Sequence, residues 1–516
     1  MREIIQNVPK SDTGVEFIGD QAYRFRAVLF DNEGNLIPLR KDAFERIEIE
    51  DNILNWYHYG YVDIKNPYDV LERASIGKNA RDALVEIEKF QMRNDGTLNL
   101  YLSLEPQIRD SEITGFESIS DDDLTMEFIF SVYRVEDPPT ESVENKIKRL
   151  YVKDYRQFFL ETHQSYYSTS DTAKKIDKNI KRISHLQDDD TEVFTGDAIK
   201  DFLQTALFSL TDIKFGKTFD TGEYTINYSS PAEYYGADDL EYLLGTHLST
   251  SDTSNCACLL KCNRFVKDNQ FFLIPILSLY DHIYDESSNV AKGLLTERFI
   301  ISNPNSRGEE NYSTQKLPQR SNMPFSLYTF PEYSVIVNYT YHDIQPELNK
   351  TTMCSTIGHS YDSQYKQFSM VKRSGNINNV HEFFKQNIVR KHPVSNDTRG
   401  KPSWDLNERN KNNETVHHEY YTSTELDKIS ARTRDSIINN SIFNGRTVGF
   451  TCKGLTTRQS MRFIGLQRDS STTTNHLDNK LLGVWLTTKV RHIIEPVNGY
   501  TNQIIASKQY DYENFI

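Results

Sequence analysis

The sequence predicts a β-rich α+β, multidomain protein, in which two β-rich ends flank an α+β middle region. Three observations carry that prediction. Apolar and polar residues alternate with period 2 in many short runs near both ends, as half-buried strands require. Aromatic residues that suit pleated surfaces are abundant, with 30 Tyr and 28 Phe among 516 residues. Helical spacing of apolar residues is concentrated between them. The length fits about three to four domains of ~150 residues each.

The first β-rich region begins at Gln21. Tyr23, Phe25, Ala27 and Leu29 alternate with Arg24, Arg26, Val28 and Phe30. Asp31-Asn32-Glu33-Gly34-Asn35 reads as a hairpin turn rather than a calcium loop, because its Gly is fourth and no Glu stands at the twelfth place. Strands follow at Phe44–Glu50, Tyr57–Ile64, Leu98–Leu104 and Thr125–Val135, with helical spacing at Ala83, Leu84 and Ile87. Pro138-Pro139 punctuates, and residues 1–140 are assigned to a barrel or sandwich.

Residues 141–324 form the α+β middle. Helices are expected at Tyr155–Ser165, Asp197–Phe208 and Ala237–Leu248. In the second, Ile199, Phe202, Leu203, Ala206 and Leu207 share one side. Strands are expected at Cys256–Phe265 and Gln270–Tyr280, and residues 300–325 read as loop. The β pattern resumes over 325–392, with strands at Tyr333–Tyr341 and Gln367–Val371. A polar stretch from 393, rich in Asn, Pro and Gly to about 416, reads as an exposed insertion, bounded at 393–430. Helical spacing covers Thr424–Ile438. Residues 431–516 then carry strands at Thr447–Cys452 and Met461–Leu466 and a closing hairpin.

That hairpin has the strongest pattern. Val484, Leu486, Thr488, Val490, His492 and Ile494 fall on one expected face, and Trp485, Thr487, Lys489, Arg491 and Ile493 on the other. Pro496-Val497-Asn498-Gly499 supplies the turn, and a return strand carries Ile504, Ile505 and Ala506. Trp485, Val490, Ile494 and Ile504 are the expected packing anchors, with Asn498 and Gly499 setting register.

Composition narrows the function classes. A net charge of −14 argues against tight binding of nucleic-acid phosphates, though not against a channel through which nucleic acid slides. With no apolar run of about 18 residues, no transmembrane helix is expected. The N-terminal residues lack the apolar stretch of a signal peptide. Five Cys do not make a disulfide framework, and a reducing interior is the simpler assumption. The glycosylation triplets at Asn338 and Asn413 read as chance occurrences.

Catalytic signatures are missing. Gly216-Lys217-Thr218 has the end of a phosphate-binding loop, but Thr211 stands where that loop needs Gly. Cys256, Cys258 and Cys262 lie an even number of residues apart, so they share a strand face. Thiols facing a core are preferred there over a metal site. His417-His418-Glu419 reads as solvated surface, and the triplets Asp121–Asp123 and Asp188–Asp190 as loop charge. No cofactor, no metal and no catalytic residue are expected.

The segment Gly483-Val484-Trp485-Leu486-Thr487-Thr488-Lys489-Val490-Arg491-His492, followed by Gly499-Tyr500-Thr501-Asn502, resembles the C-terminal hairpin of baseplate or tail hub proteins. These belong to contractile and long-tailed bacteriophages and are related to the hub part of secretion-system spikes. The family pattern is Gly-x-Trp-x-Val-x-x-Val-x-His, a Gly-Tyr-Thr turn and a final strand. Thr488 or Leu486 stands here where the family often has Val. Arg446–Phe450 to Leu466 resembles the strands that precede that hairpin, so the likeness covers about the last 70 residues, and the overall layout extends it.

The resemblance implies two tube-forming antiparallel β-barrel domains per chain. Three chains would then make a trimeric, pseudo-hexameric ring joining a six-fold tail tube to a three-fold spike. It also implies a virion protein of the phage tail or baseplate, made in the host cytoplasm. The expected partners are two further copies, the tail tube protein, a central spike protein on a separate chain, the tape measure protein and surrounding baseplate proteins. DNA would pass without specific binding, and stable membrane insertion is not expected. An acidic lining would suit such passage. Some family members fuse a needle or lysozyme-type domain after the hub; here spike and wall-cutting activity are expected on other polypeptides. An adhesin or receptor-binding tail protein, and a glycan hydrolase, are the alternatives.

Overall fold

The computed structural model describes residues 16–18, 23–31, 36–65, 98–106, 125–138, 147–163, 194–207, 210, 213–222, 230, 234–249, 256–262, 270–275, 295–301, 334–336, 339–343, 354–362, 367–373, 415–421, 446–456, 458–468, 481 and 483–508. The expected helices around Ala83–Ile87 and Thr424–Ile438, both Asp triplets, Asn338, Asn413 and the polar stretch 393–414 lie outside these residues.

The first region is built from β1 (Glu16–Ile18), β2 (Tyr23–Asp31), β3 (Leu36–Pro38), β4 (Phe44–Asn52), β5 (Tyr59–Lys65), β6 (Leu98–Pro106), β7 (Met126–Glu136) and β8 (Ile147–Asp154). Every ladder among them is antiparallel, in the order β1-β2-β6-β7-β8-β5-β4, with β3 paired to β2 as the expected hairpin. The period-2 alternation sends Phe25, Ala27, Leu29, Ile47, Ile49, Leu100, Leu102, Phe130 and Val152 into one core. Strand β8 extends this sheet to Asp154, past the boundary read at residue 140. Its short apolar alternation follows a polar stretch and was not distinguished in the sequence.

Among the described residues the middle region holds three helices, α1 (Tyr155–Thr162), α2 (Thr195–Leu207) and α3 (Gly236–Thr246), and a four-stranded sheet. The sheet runs β10 (Leu248–Ser249), β11 (Cys256–Cys262), β12 (Gln270–Pro275), β9 (Lys214–Phe219). Asp154 caps α1 by accepting from Arg156 N at 2.9 Å. The expected apolar side of α2 is wholly buried against Leu240, Leu243, Leu260, Phe271 and Leu273. Gly216 to Thr218 lies in β9, not in a phosphate loop. A Cβ at Gly216 would sit 1.9 Å from the Phe272 ring, so that residue serves close packing.

The remaining strands are β13 (Leu295–Ile301), β14 (Ser334–Ile336), β15 (Tyr339–Asp343), β16 (Cys354–Asp362), β17 (Gln367–Arg373), β18 (Thr415–Tyr421), β19 (Arg446–Lys453), β20 (Phe463–Arg468), β21 (Gly483–Glu495) and β22 (Gly499–Lys508). The stretch read as one strand from Tyr333 to Tyr341 is two, because β14 pairs with β13 while β15 pairs with β19. Strands β17-β16-β18 form a separate three-stranded sheet, and His417-His418-Glu419 lies within β18. Most ladders are antiparallel, but β9–β12, β13–β14, β13–β20 and β16–β18 are parallel. No helix among the described residues is long and apolar enough to cross a membrane.

The two β-rich ends join into a curled 15-stranded sheet. The join is β21. On one edge its first residues pair with β20 (Trp485 opposite Ile464), and its later residues pair with β4 (His492 opposite Ile49). The other edge carries β22.

Candidate functional site

The seam between β4 and β21 is where the chain's two β-rich regions meet, and the sheet presents two chemically different faces there. The face is decided by a bulge. Between Thr487 and Lys489 the register to β22 shifts by one residue, so Thr487 lies opposite Ala506 and Val490 opposite Ile504. Trp485 and Val490 therefore share the inner face, whereas the plain alternation puts them on opposite faces. The extra residue, Thr488, donates from Oγ1 to Ile505 O at 3.1 Å.

On the inner face, Trp485 is fully buried and donates from Nε1 to Leu481 O at 2.7 Å. It packs with Val448, Phe450, Ile464, Ile504 and Ala506. Val490 is buried, and Ile494 and Tyr500 belong to the core of the first region. One hairpin thus fills two cores. Between them lies a polar knot around His492. Its Nδ1 receives Tyr500 Oη at 2.6 Å and Asn502 Nδ2 at 3.0 Å. Two donors converging on one ring nitrogen hold the proton on Nε2. Asn502 Oδ1 accepts from Leu455 N at 2.7 Å and Arg458 Nη1 at 2.9 Å.

Beside this knot, buried Asp51 of β4 joins three regions. Its carboxylate accepts from Lys261 Nζ of the middle sheet at 3.2 Å. It also accepts from Ser460 N at 2.8 Å and Ser460 Oγ at 2.7 Å. His58 Nε2 is 3.8 Å away. Lys261 also donates to the carbonyl oxygens of Asn52 and Asn55. Sequence reasoning placed His492 in the hairpin motif but did not single out Asp51 or Lys261. Period-2 reading offers one signal: Asp51 and Lys261 are charges at apolar positions of their strands.

The outer face is a lattice of charges and tyrosines. Glu50 receives Arg491 Nε at 2.8 Å, Lys489 Nζ at 2.7 Å and the Tyr59 hydroxyl. Glu48 receives Arg46 Nη2 at 2.7 Å and Tyr61 Oη at 2.9 Å. Arg46 also reaches Glu495 at 3.3 Å. Further along, Arg149 grips Asp63 with two bonds, at 2.7 and 2.8 Å, and lies 4.1 Å over the Tyr61 ring. Tyr151 donates to Glu136 at 2.8 Å.

Burial alone would raise the Glu50 carboxyl, but hydrogen bonds from Lys489, Tyr59 and Arg491 outweigh it and hold the group below its ordinary range. Burial, with Glu48 beside it, pushes the Tyr61 phenol up to about 12. Asp63 holds the Arg149 guanidinium above its ordinary range. The acids named on this face each have a cation or phenol partner. The face is a lattice in which these acids and cations neutralise one another.

At the turn, Asn498 Nδ2 donates to Glu495 Oε2 at 2.6 Å and Gly499 takes φ 78°. Cys258 and Cys262 do not converge on one centre. Cys262 accepts from Arg156 Nη1 at 3.1 Å. Cys258, four residues and ~13 Å of extended chain away, faces Asp220 and His247. Both thiols are buried in the middle core, in keeping with their even spacing.

No protein-family model matches the chain, and no curated protein matches it in sequence. Solved structures similar to it are phage tail proteins and components of type VI secretion systems. The tail protein from Neisseria meningitidis MC58 is 8% identical with a TM-score of 0.40, over 94% of this chain and 96% of that one. The 43 kDa tail protein of prophage MuSo2 from Shewanella oneidensis is 8% identical with a TM-score of 0.40, over 94% and 97%. The Escherichia coli c3393 protein, a type VI secretion component similar in structure to T4 phage tail proteins gp27 and gp5, is 8% identical with a TM-score of 0.34, over 91% and 75%.

Proposed function

We propose that this chain is a structural, non-catalytic hub of a phage tail or baseplate, a virion protein made in the host cytoplasm. Three copies form a pseudo-hexameric ring that joins a six-fold tail tube to a three-fold central spike and lets DNA pass. The observation that carries this reading is the β4–β21 ladder, through which two β-rich regions of one chain stand edge to edge in one sheet. Two such regions per chain supply six around a three-fold axis. The hub-like hairpin motif at Trp485, Val490 and His492 supports it, because those residues fill the seam rather than a ligand cleft. The paired outer face also suits a wall that does not hold phosphates, since its cations are already engaged. The spike, tail tube, tape measure and surrounding baseplate proteins are the partners in this reading.

The test is the copy number of the chain in its assembled particle, by electron cryomicroscopy. Three copies around the tail axis, each contributing two regions to the ring, are expected. Six copies, or one, would overturn the proposal.

A further inference from the structure

We propose that Asp220, His247 and Cys258 form a structural zinc site that pins the middle region. The three side chains come from separate segments. Asp220 directly follows β9, His247 follows α3, and Cys258 lies on β11. One ligand atom from each lies within 4.8 Å of the other two. Oxygen, nitrogen and sulfur are the donor types zinc prefers, and thiolate with imidazole favours zinc over calcium or magnesium.

The geometry is close to what the metal requires. Two tetrahedral ligands at zinc–ligand distances of ~2.0–2.1 Å stand ~3.3 Å apart. Asp220 Oδ1 and His247 Nε2 are 3.1 Å apart. That spacing serves a hydrogen bond without metal and a shared ion with it. The surroundings also fit. His247 is fully buried, and Nε2 is the ring nitrogen that faces Asp220. Ser249 Oγ donates to Asp220 Oδ2 at 2.6 Å, which orients the carboxylate as an outer partner of a metal ligand should. Cys258 is buried in the middle core, and its thiol would give up its proton to the solvent on binding the metal.

Three protein ligands leave the fourth zinc position to water, and the site acts through the tie they make between segments. It would tie β9, the end of α3 and β11 together across the four-stranded sheet, and the metal's binding energy would add to the stability of that region. Lys261, three residues beyond Cys258 on β11, carries the link to Asp51. The inference does not depend on the hub reading.

The test uses the full-length chain. Purified protein is assayed for bound zinc by elemental analysis. It is then stripped and titrated with Co²⁺, read by the thiolate-to-cobalt charge-transfer band. About one zinc per chain, a cobalt band that saturates at the same ratio, and a fall in melting temperature on chelation are expected. Cys258→Ser should abolish the band, whereas Cys262→Ser, on the same strand but beside Arg156, should keep it. Native protein that binds neither metal overturns the proposal whatever the variants do. So does a cobalt band that survives in Cys258→Ser.

Discussion

Lys261 Nζ and Asp51 Oδ1 are 3.2 Å apart, with both residues buried and 210 positions between them in the chain. A lone ammonium or carboxylate at that depth would be costly, and here each is met by its opposite and by further hydrogen bonds. The contact ties the middle sheet to the seam between the two β-rich regions. Replacing Lys261 by Met should cost about 3–5 kcal/mol, because Asp51 keeps its charge and loses its cation. Adding Asp51→Asn to that variant should cost less than the two changes summed. A double-mutant cycle on denaturation midpoints measures the coupling, and strict additivity would mean that the pair contributes nothing to the join.

Trp485 anchors the second core from the inner side of the bulged strand. Truncation to Ala should cost about 3–5 kcal/mol through the cavity and the lost bond to Leu481. Thr501→Ala, a half-buried change on the outer face of the neighbouring strand, should stay within about 0.5 kcal/mol. Thermal unfolding of the two variants separates a packing anchor from a general sensitivity of the hairpin.

Glu50 makes the seam acid-sensitive. Its carboxyl is held below the ordinary value of 4.5, so the unfolded chain binds this proton more tightly than the folded one. The stabilisation is complete above about pH 4.5 and is lost as pH falls through the lower folded value. Glu50→Gln should therefore be less stable than the parent at neutral pH, and the gap should close on acidification. A gap that stays constant from about pH 7 to pH 3 would show that the Lys489 and Arg491 bonds add nothing.

Gly499 sits at φ 78°, where a Cβ crowds the backbone. Gly499→Ala should cost about 1–2 kcal/mol. Asn498→Ala removes only an exposed bond to Glu495 and should cost under about 0.5 kcal/mol. Equal losses at the two positions, read from urea midpoints, would mean that the turn is not what holds the register.

Much of this architecture was readable from local pattern. Period 2 located β2, β4, β6, β7 and the hairpin, and every residue expected on the apolar side of α2 is buried, with Ala198 added. What escaped has a physical cause. The bulge at Thr488 reverses the alternation inside one strand, so Trp485 and Val490 were put on opposite faces. Strand β13 was not assigned, because a parallel pairing with β20 leaves no turn signal nearby. The seam itself brings Arg491 to Glu50 across 441 residues, and no local spacing reports such a contact. Asp220, His247 and Cys258 are likewise three isolated residues until the sheet folds them together.

The shared strand has a consequence for synthesis. When β4 leaves the ribosome, the strand that will cover its edge is still some 441 residues from being made. For that interval the first region presents an open row of amide and carbonyl groups, the usual template for mispairing between nascent chains. Arg46, Glu48 and Glu50 project from that edge strand. The charges that later bind β21 would first keep neighbouring copies apart, so one set of side chains guards the unfinished protein and then closes the finished one.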